Sequence, residues 1–211
     1  MSEHLLNAKD EGRYSLKGSR LWGILLFLIL IWVDQVTKML AAVYFSAPNA
    51  PQKVDIIPGW ISLCLRYNDG IAYGIGGDAS PALKIGVIAV TMVMMLGLTI
   101  LYLKVDKRRS WLRNSLVLVV GGGIGNFIDR VYYRVWEPNC LFGVRDMVDL
   151  SRFGFAVCNF ADFFICIGAA LMVASLFFFD TDAIFPLTKK YKALAKEAQE
   201  KAEAKKQEKN G

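Results

Sequence analysis

Asn126-Phe127-Ile128-Asp129 closes one long apolar stretch, residues 112–128, and Asn159-Phe160-Ala161-Asp162 sits within another, residues 155–179. In each insert an amide and a carboxyl lie three residues apart, so on a helix they share a face. A charged Asp inside a membrane span costs roughly 2.5–3.5 kcal/mol on insertion scales. Two of them in such surroundings point to chemistry, because paired carboxyls are the minimal equipment of an aspartyl hydrolase.

Working outward, further apolar runs occupy residues 21–45 and 81–103, in a chain of 211 residues that is 55% hydrophobic. Each run approaches the ~20 residues that cross a hydrocarbon core as a helix. None has the charged outer face of a soluble core helix. The expected fold is an all-α membrane bundle of four transmembrane helices, about 21–45, 81–103, 112–129 and 155–180. Residues 1–20 would form a cytosolic N-terminal segment, 21–180 the membrane domain and 181–211 a Lys-rich cytosolic tail. The first run follows twenty polar residues, is interrupted by Asp34, Gln35 and Lys38, and lacks a small-residue cleavage site. It reads as a retained span, not a signal peptide.

Lys and Arg set the orientation. Lys104, Lys107, Arg108, Arg109 and Arg113 crowd the connection after the second run, and the tail is rich in Lys. Residues 46–80 carry only Lys53 and Arg66. The positive-inside rule puts both termini and the middle connection in the cytosol, and the loops 46–80 and 130–154 outside. The net charge of +6 is then a topological and lipid-surface signal, and no nucleic-acid partner is expected.

With that topology, Asp129 stands seventeen residues from Leu112, or ~26 Å of helix, and Asp162 eighteen from Asp180, or ~27 Å. Both carboxyls are expected at similar depth, near the outer edge of a core ~30 Å thick. Two carboxyls a few ångströms apart share a proton near neutral pH. One can activate water while the other polarises a carbonyl. The spacing leaves a structural alternative open, in which these Asp residues pair with Arg130, Arg134 or Arg152. Gly121-Gly122-Gly123-Ile124-Gly125 reads as a site of close helix approach in lipid.

The outer segment, about 52–77, behaves differently. Ile61, Leu63, Leu65 and Tyr67 alternate with Trp60, Ser62, Cys64 and Arg66, the period of a strand. Asn68-Asp69-Gly70 suggests a hairpin turn, with Ile71 and Tyr73 returning. A small extracytoplasmic β-sheet between the first and second spans is expected.

Taken together, these blocks resemble the bacterial lipoprotein signal peptidase (signal peptidase II) family. The resemblance runs through Asp34-Gln35 with Lys38, then Asn68-x-Gly70-x-Ala72. It continues with Gly121-Gly122-x-x-Gly125-Asn126-x-x-Asp129-Arg130, Val148-Asp149 and Asn159-x-Ala161-Asp162. It implies a catalytic dyad of Asp129 and Asp162. It implies substrate contact or site support by Asp34, Lys38, Asn68, Gly70, Ala72, Asn126, Arg130, Asp149, Asn159 and Ala161. The implied reaction is endoproteolytic removal of signal peptides from diacylglyceryl-modified prolipoproteins, on the amino side of the lipidated cysteine. Tyr73 stands where the family often has Phe, and the loop 131–151 is fairly long. The expected setting is the bacterial cytoplasmic membrane, with the site near the extracytoplasmic face, lipids and prolipoproteins as partners, and a monomeric chain.

No metal or organic cofactor is implied; the single His4 lies in the polar N-terminal segment, away from any Cys cluster. Cys64 and Cys140 both fall in outward loops, but two residues make no disulfide framework. The rival reading is a proton- or ion-coupled transporter, which would also bury Asp in its spans. Such carriers place their sites near the midplane and have internal repeats, and only the short Asn-Phe-x-Asp echo is found here.

Overall fold

The structure is a computed structural model and describes residues 20–70, 80–106, 109–137, 140, 142–179, 196, 200 and 207. In chain order the elements are α1 (Arg20–Phe45), β1 (Lys53–Ile57), β2 (Ile61–Asn68), α2 (Pro81–Lys104), α3 (Ser110–Tyr132), β3 (Val144–Asp149) and α4 (Phe160–Ala174). A π-helical turn, Ser175–Phe179, prolongs α4.

Three of the four expected spans are helices long and apolar enough to cross a membrane: α1, α2, and α4 with its π turn. They turn Leu25, Leu28, Ile29, Val90, Val93, Leu96, Ile167 and Val173 outward, as lipid contact requires. The expected span 112–129 lies in α3, which is a 23-residue helix but does not belong to that apolar set. Its position explains the difference. α3 packs against α1, α2 and α4, and thirteen of its 23 residues are buried. A helix that meets protein on most sides needs fit more than hydropathy.

The glycine run supplies that fit. A side chain at Gly122 would collide with the Ala161 carbonyl of α4, and one at Gly125 with the Asp34 carboxyl of α1. Small residues of this kind let membrane helices approach at backbone distance.

The expected fourth span, 155–180, starts five residues later than its apolar run. Asn159 is the N-cap of α4: its side chain accepts from the Asp162 backbone N–H, while the Asp162 carboxyl accepts from the Asn159 N–H. This capping box satisfies two otherwise orphaned donors and stops the helix from extending backward. Cys158, just before it, is extended and bridges to Val148.

The sheet is three-stranded and antiparallel, in the order β1-β2-β3. β1 and β2 form a hairpin through Gly59, whose φ of +74° suits glycine. The alternation seen in the sequence is β2. Its expected return through Ile71 and Tyr73 lies outside the described residues, and the partners seen among the described residues are β1 and β3. β3 comes from the connection between α3 and α4, so the sheet joins both loops and is not confined to the first. The four cysteines are free, and Cys64 is buried within β2.

Candidate active site

Asp34 and Lys38 stand one turn apart on α1, both fully buried, with Lys38 Nζ 2.8 Å from Asp34 Oδ2. The other oxygen, Asp34 Oδ1, accepts from the Ala161 N–H at 3.0 Å. That N–H is one of the unpaired donors in the first turn of α4, where a negative charge is favourable. Gln35 donates to Asp34 Oδ2 and to the Gly125 carbonyl, both at 3.0 Å. Thus α1, α3 and α4 are pinned together by polar groups at one level.

Asp129, in the last turn of α3, is also fully buried, and its oxygens are taken up by donors. Arg145 reaches Oδ1 with Nη2 at 2.7 Å and Oδ2 with Nε at 3.0 Å. The Arg145 backbone N–H adds a third bond, 2.9 Å to Oδ2, and Lys38 Nζ lies 3.8 Å away. Two carboxylates and two cations therefore balance inside the protein, the condition for burying such charges.

Asn126 connects this set to the other carboxyls. Its Oδ1 accepts from Lys38 Nζ and from Asn159 Nδ2, each at 3.0 Å. With the oxygen so engaged, the amide nitrogen faces Asp162 and donates to Oδ1 at 2.8 Å. Asn159 in turn serves two carboxyls. Its backbone N–H donates to Asp162 Oδ2 at 3.0 Å, and its Nδ2 to Asp146 Oδ1 at 2.6 Å. Asn68, at the end of β2, donates to Asp146 Oδ2 at 3.2 Å.

Asp146 lies on β3 and is 3% exposed. Burial, together with the neighbouring Asp162 charge, raises its carboxyl from 3.8 to about 7, against the hydrogen bonds from Asn159 and Asn68 that favour the ion. The same field reaches Cys158, whose thiol is pushed up to about 12 by burial and then by Asp162 and Asp146. Both shifts share their causes, burial and the neighbouring Asp162 charge.

The remaining expected residues divide. Arg130 donates to the Asn126 and Gly70 carbonyls at 3.4 and 3.3 Å, tying α3 to the first loop. The Gly70 N–H donates to Asn68 Oδ1 at 3.0 Å. Ala161 is buried against Asp34. Ala72 lies outside the described residues. Asp149 is not brought into the network: it pairs with Lys53 at 2.8 Å across the sheet and accepts from the Ser151 N–H. Lys53 and then Ser151 lower its carboxyl to about 2.

Arg145 and Asp146 were not among the expected site residues. The only sequence signal for them is Asp146-Met147-Val148-Asp149, two acids three apart in a strand. A two-residue period sends them to opposite faces, but hydropathy alone does not say which one turns inward.

These features describe a membrane-embedded enzyme of the aspartic peptidase class. Residues 26–178 match the family model described as Signal peptidase (SPase) II, and the chain belongs to that family. It is 31% identical over 165 residues to the lipoprotein signal peptidase of Ectopseudomonas mendocina (strain ymp), covering 77% of this chain and 90% of that protein. It is 35% identical over 150 residues to the lipoprotein signal peptidase of Streptococcus thermophilus (strain CNRZ 1066), covering 71% and 88%. Two solved structures of a bacterial membrane enzyme, obtained by the in meso method at 2.3 and 1.9 Å resolution, superpose with TM-scores of 0.60 and 0.59. Both are 26% identical and cover 73% of this chain, and 86% and 91% of their own.

Proposed function

We propose that this protein removes signal peptides from diacylglyceryl-modified prolipoproteins, and that its catalytic pair is Asp146 and Asp162 in place of the Asp129 and Asp162 read from the sequence. The observation that carries the choice is geometric: Asn159 binds both carboxyls, Asp146 at 2.6 Å through its side-chain amide and Asp162 at 3.0 Å through its backbone N–H, and burial beside Asp162 raises the Asp146 carboxyl in support. Asp129 is fully buried and both its oxygens are bound by Arg145, with Lys38 3.8 Å away, which suits an ion-paired carboxylate better than one that meets water or substrate. It plays the ion-paired part that the spacing had left open, with Arg145 and Lys38 as partners.

In the reaction, the Asp162 carboxylate takes a proton from water as that water attacks the scissile carbonyl. Asp146, protonated, donates a hydrogen bond to the carbonyl oxygen as it gains negative charge. Collapse of the tetrahedral intermediate passes the proton from Asp162 to the leaving nitrogen, and Asp146 keeps its own. Asn126 and Asn159 hold the two carboxyls, and Arg130 and Asn68 border the place where substrate backbone lies.

Family membership lends no support to the transporter alternative. The distribution of Lys and Arg supports four crossings, α3 included, with both termini cytosolic and the sheet outside. Residues 21–180 form the membrane unit, and the chain acts as a monomer among lipids. The deciding experiment incubates purified protein in detergent with lipidated and unlipidated forms of one prolipoprotein. Cleavage of the lipidated form alone, at the amino side of the cysteine, supports the reading; cleavage of neither form removes it.

A further inference from the structure

We propose that Arg145 is a positioning residue for the cleavage step: its grip on Asp129 sets β3 so that the next side chain, Asp146, meets Asp162. The proposal rests on the assignment of the Asp146–Asp162 pair above.

Adjacent strand residues point to opposite faces. Fixing the side chain of Arg145 therefore also fixes the direction in which Asp146 leaves the backbone. The fixation is strong. Backbone N–H, Nε and Nη2 of one residue all bind the Asp129 carboxylate, at 2.9, 3.0 and 2.7 Å. The same Nη2 donates to Gln35 Oε1 on α1 at 3.1 Å. One residue thus joins β3 to the end of α3 and to α1.

A second anchor lies on the other side of Asp146. The Met147 and Val148 N–H groups both donate to the Cys158 carbonyl, at 2.9 and 2.8 Å, and the Cys158 N–H returns to Val148 O at 3.0 Å. Asp146 is held between a tie to α3 and a tie to the residue before the α4 cap. With both ties made, Asn159 and Asn68 reach its two oxygens, at 2.6 and 3.2 Å. Catalysis by paired groups is sensitive to such placement, since a displacement of about 1 Å can cost about 10²-fold in rate.

The alternative is that Arg145 merely neutralises Asp129. A point charge would then suffice, whereas a positioning role needs the planar two-pronged guanidinium. Arg145→Lys separates the two, because it keeps the charge and loses the fork.

The test uses purified full-length protein in detergent and two readouts. The first is steady-state cleavage of a lipidated prolipoprotein. The second is titration of the Asp146 carboxyl by carbon-13 NMR with labelled aspartate, which needs no substrate. Arg145→Gln is expected to lower kcat about 10²-fold with KM little changed, and to move the Asp146 titration. Arg145→Lys recovers only part of the loss. Adding Asp129→Asn to Arg145→Gln brings little further loss, since both act through one contact.

A folded Arg145→Gln protein with wild-type kcat and an unmoved titration overturns the proposal. So does a raised KM at unchanged kcat, which would make Arg145 a substrate contact, or a rate loss that only tracks the folded fraction. Should Arg145→Gln fail to fold, Arg145→Lys carries the same two readouts. Should the wild type not cleave lipidated substrate, the functional reading falls while the titration still decides what Arg145 does.

Discussion

Asn159 donates its side-chain amide to Asp146 Oδ1 at 2.6 Å while its backbone N–H binds Asp162 Oδ2 at 3.0 Å. A single residue at the start of α4 thus holds a strand carboxyl and a helix carboxyl together. The pair exists because a helix cap and a sheet edge meet at that point.

The first prediction concerns which carboxyls react. Asp162→Asn loses the group that carries the proton and Asp146→Asn the acid that polarises the carbonyl; each should reduce cleavage by on the order of 10²–10⁴-fold, with the protein still inserted in membranes. Asp149→Asn, which breaks only the pair with Lys53 on the sheet, should cleave at close to the wild-type rate. Rates measured on one lipidated prolipoprotein check all three. Wild-type activity in Asp146→Asn would return the catalytic role to another residue.

pH dependence follows from the raised Asp146 carboxyl. Its value goes from 3.8 to about 7 on folding, so between those values the folded chain binds a proton that the unfolded chain has released. The associated stability is fully present below about 4 and is lost as pH rises through about 7. Unfolding in detergent across that window should show the decline, and Asp146→Asn should flatten it. Cleavage should fall over the upper part of the same range as Asp146 loses the proton that polarises the substrate carbonyl.

Asp149 has the opposite sign. Lowered to about 2, it contributes stability that is present above about 4 and lost as pH falls through about 2. The pair with Lys53 is half exposed, with Lys53 at 49%, so salt should weaken its contribution. An acid unfolding curve of Lys53→Ala, with a smaller stability loss below about 4, checks this.

Removing Lys38 tests the buried set of charges. Lys38→Met leaves Asp34 and Asp129 short of a cation and takes from Asn126 Oδ1 one of its two donors. Breaking a buried pair on one side costs about 3–5 kcal/mol. Both stability and kcat should fall, whereas Lys38→Met combined with Asp34→Asn should lose less stability than the single change.

Gly122→Ala places a methyl group against the Ala161 carbonyl. Overpacking of this kind typically costs about 1–3 kcal/mol, and here it would separate α3 from the first turn of α4. Thermal unfolding and cleavage should both decline. A wild-type melting point would show that the helices have room to move.

The apolar runs were legible because a lipid-facing helix has few residue types to choose from, and α1, α2 and α4 follow that constraint. β2 was legible because its apolar residues recur at every second position, although the fully buried ones are Ser62 and Cys64 while Ile61, Leu63, Leu65 and Tyr67 are only half-buried. β3 was not, since Arg145, Asp146 and Asp149 make it look like a solvated loop, although Asp146 is 3% exposed. Polar residues buried for function have the hydropathy of a surface. The two Asn-x-x-Asp inserts also looked equivalent by spacing, yet one lies in the last turn of α3 and the other forms the capping box of α4. Equal spacing on helices did not mean equal surroundings, and Asp129 went to Arg145 while Asp162 stayed with the asparagines.

The three-stranded sheet has a consequence for how the molecule comes into being. Asp146 rides on the last strand to be made, which needs β2, threaded much earlier, as its neighbour. Until those two distant pieces of chain have found each other, Asp146 has no fixed place beside Asn159, so on the assignment proposed above helices inserted without the finished sheet would not cleave.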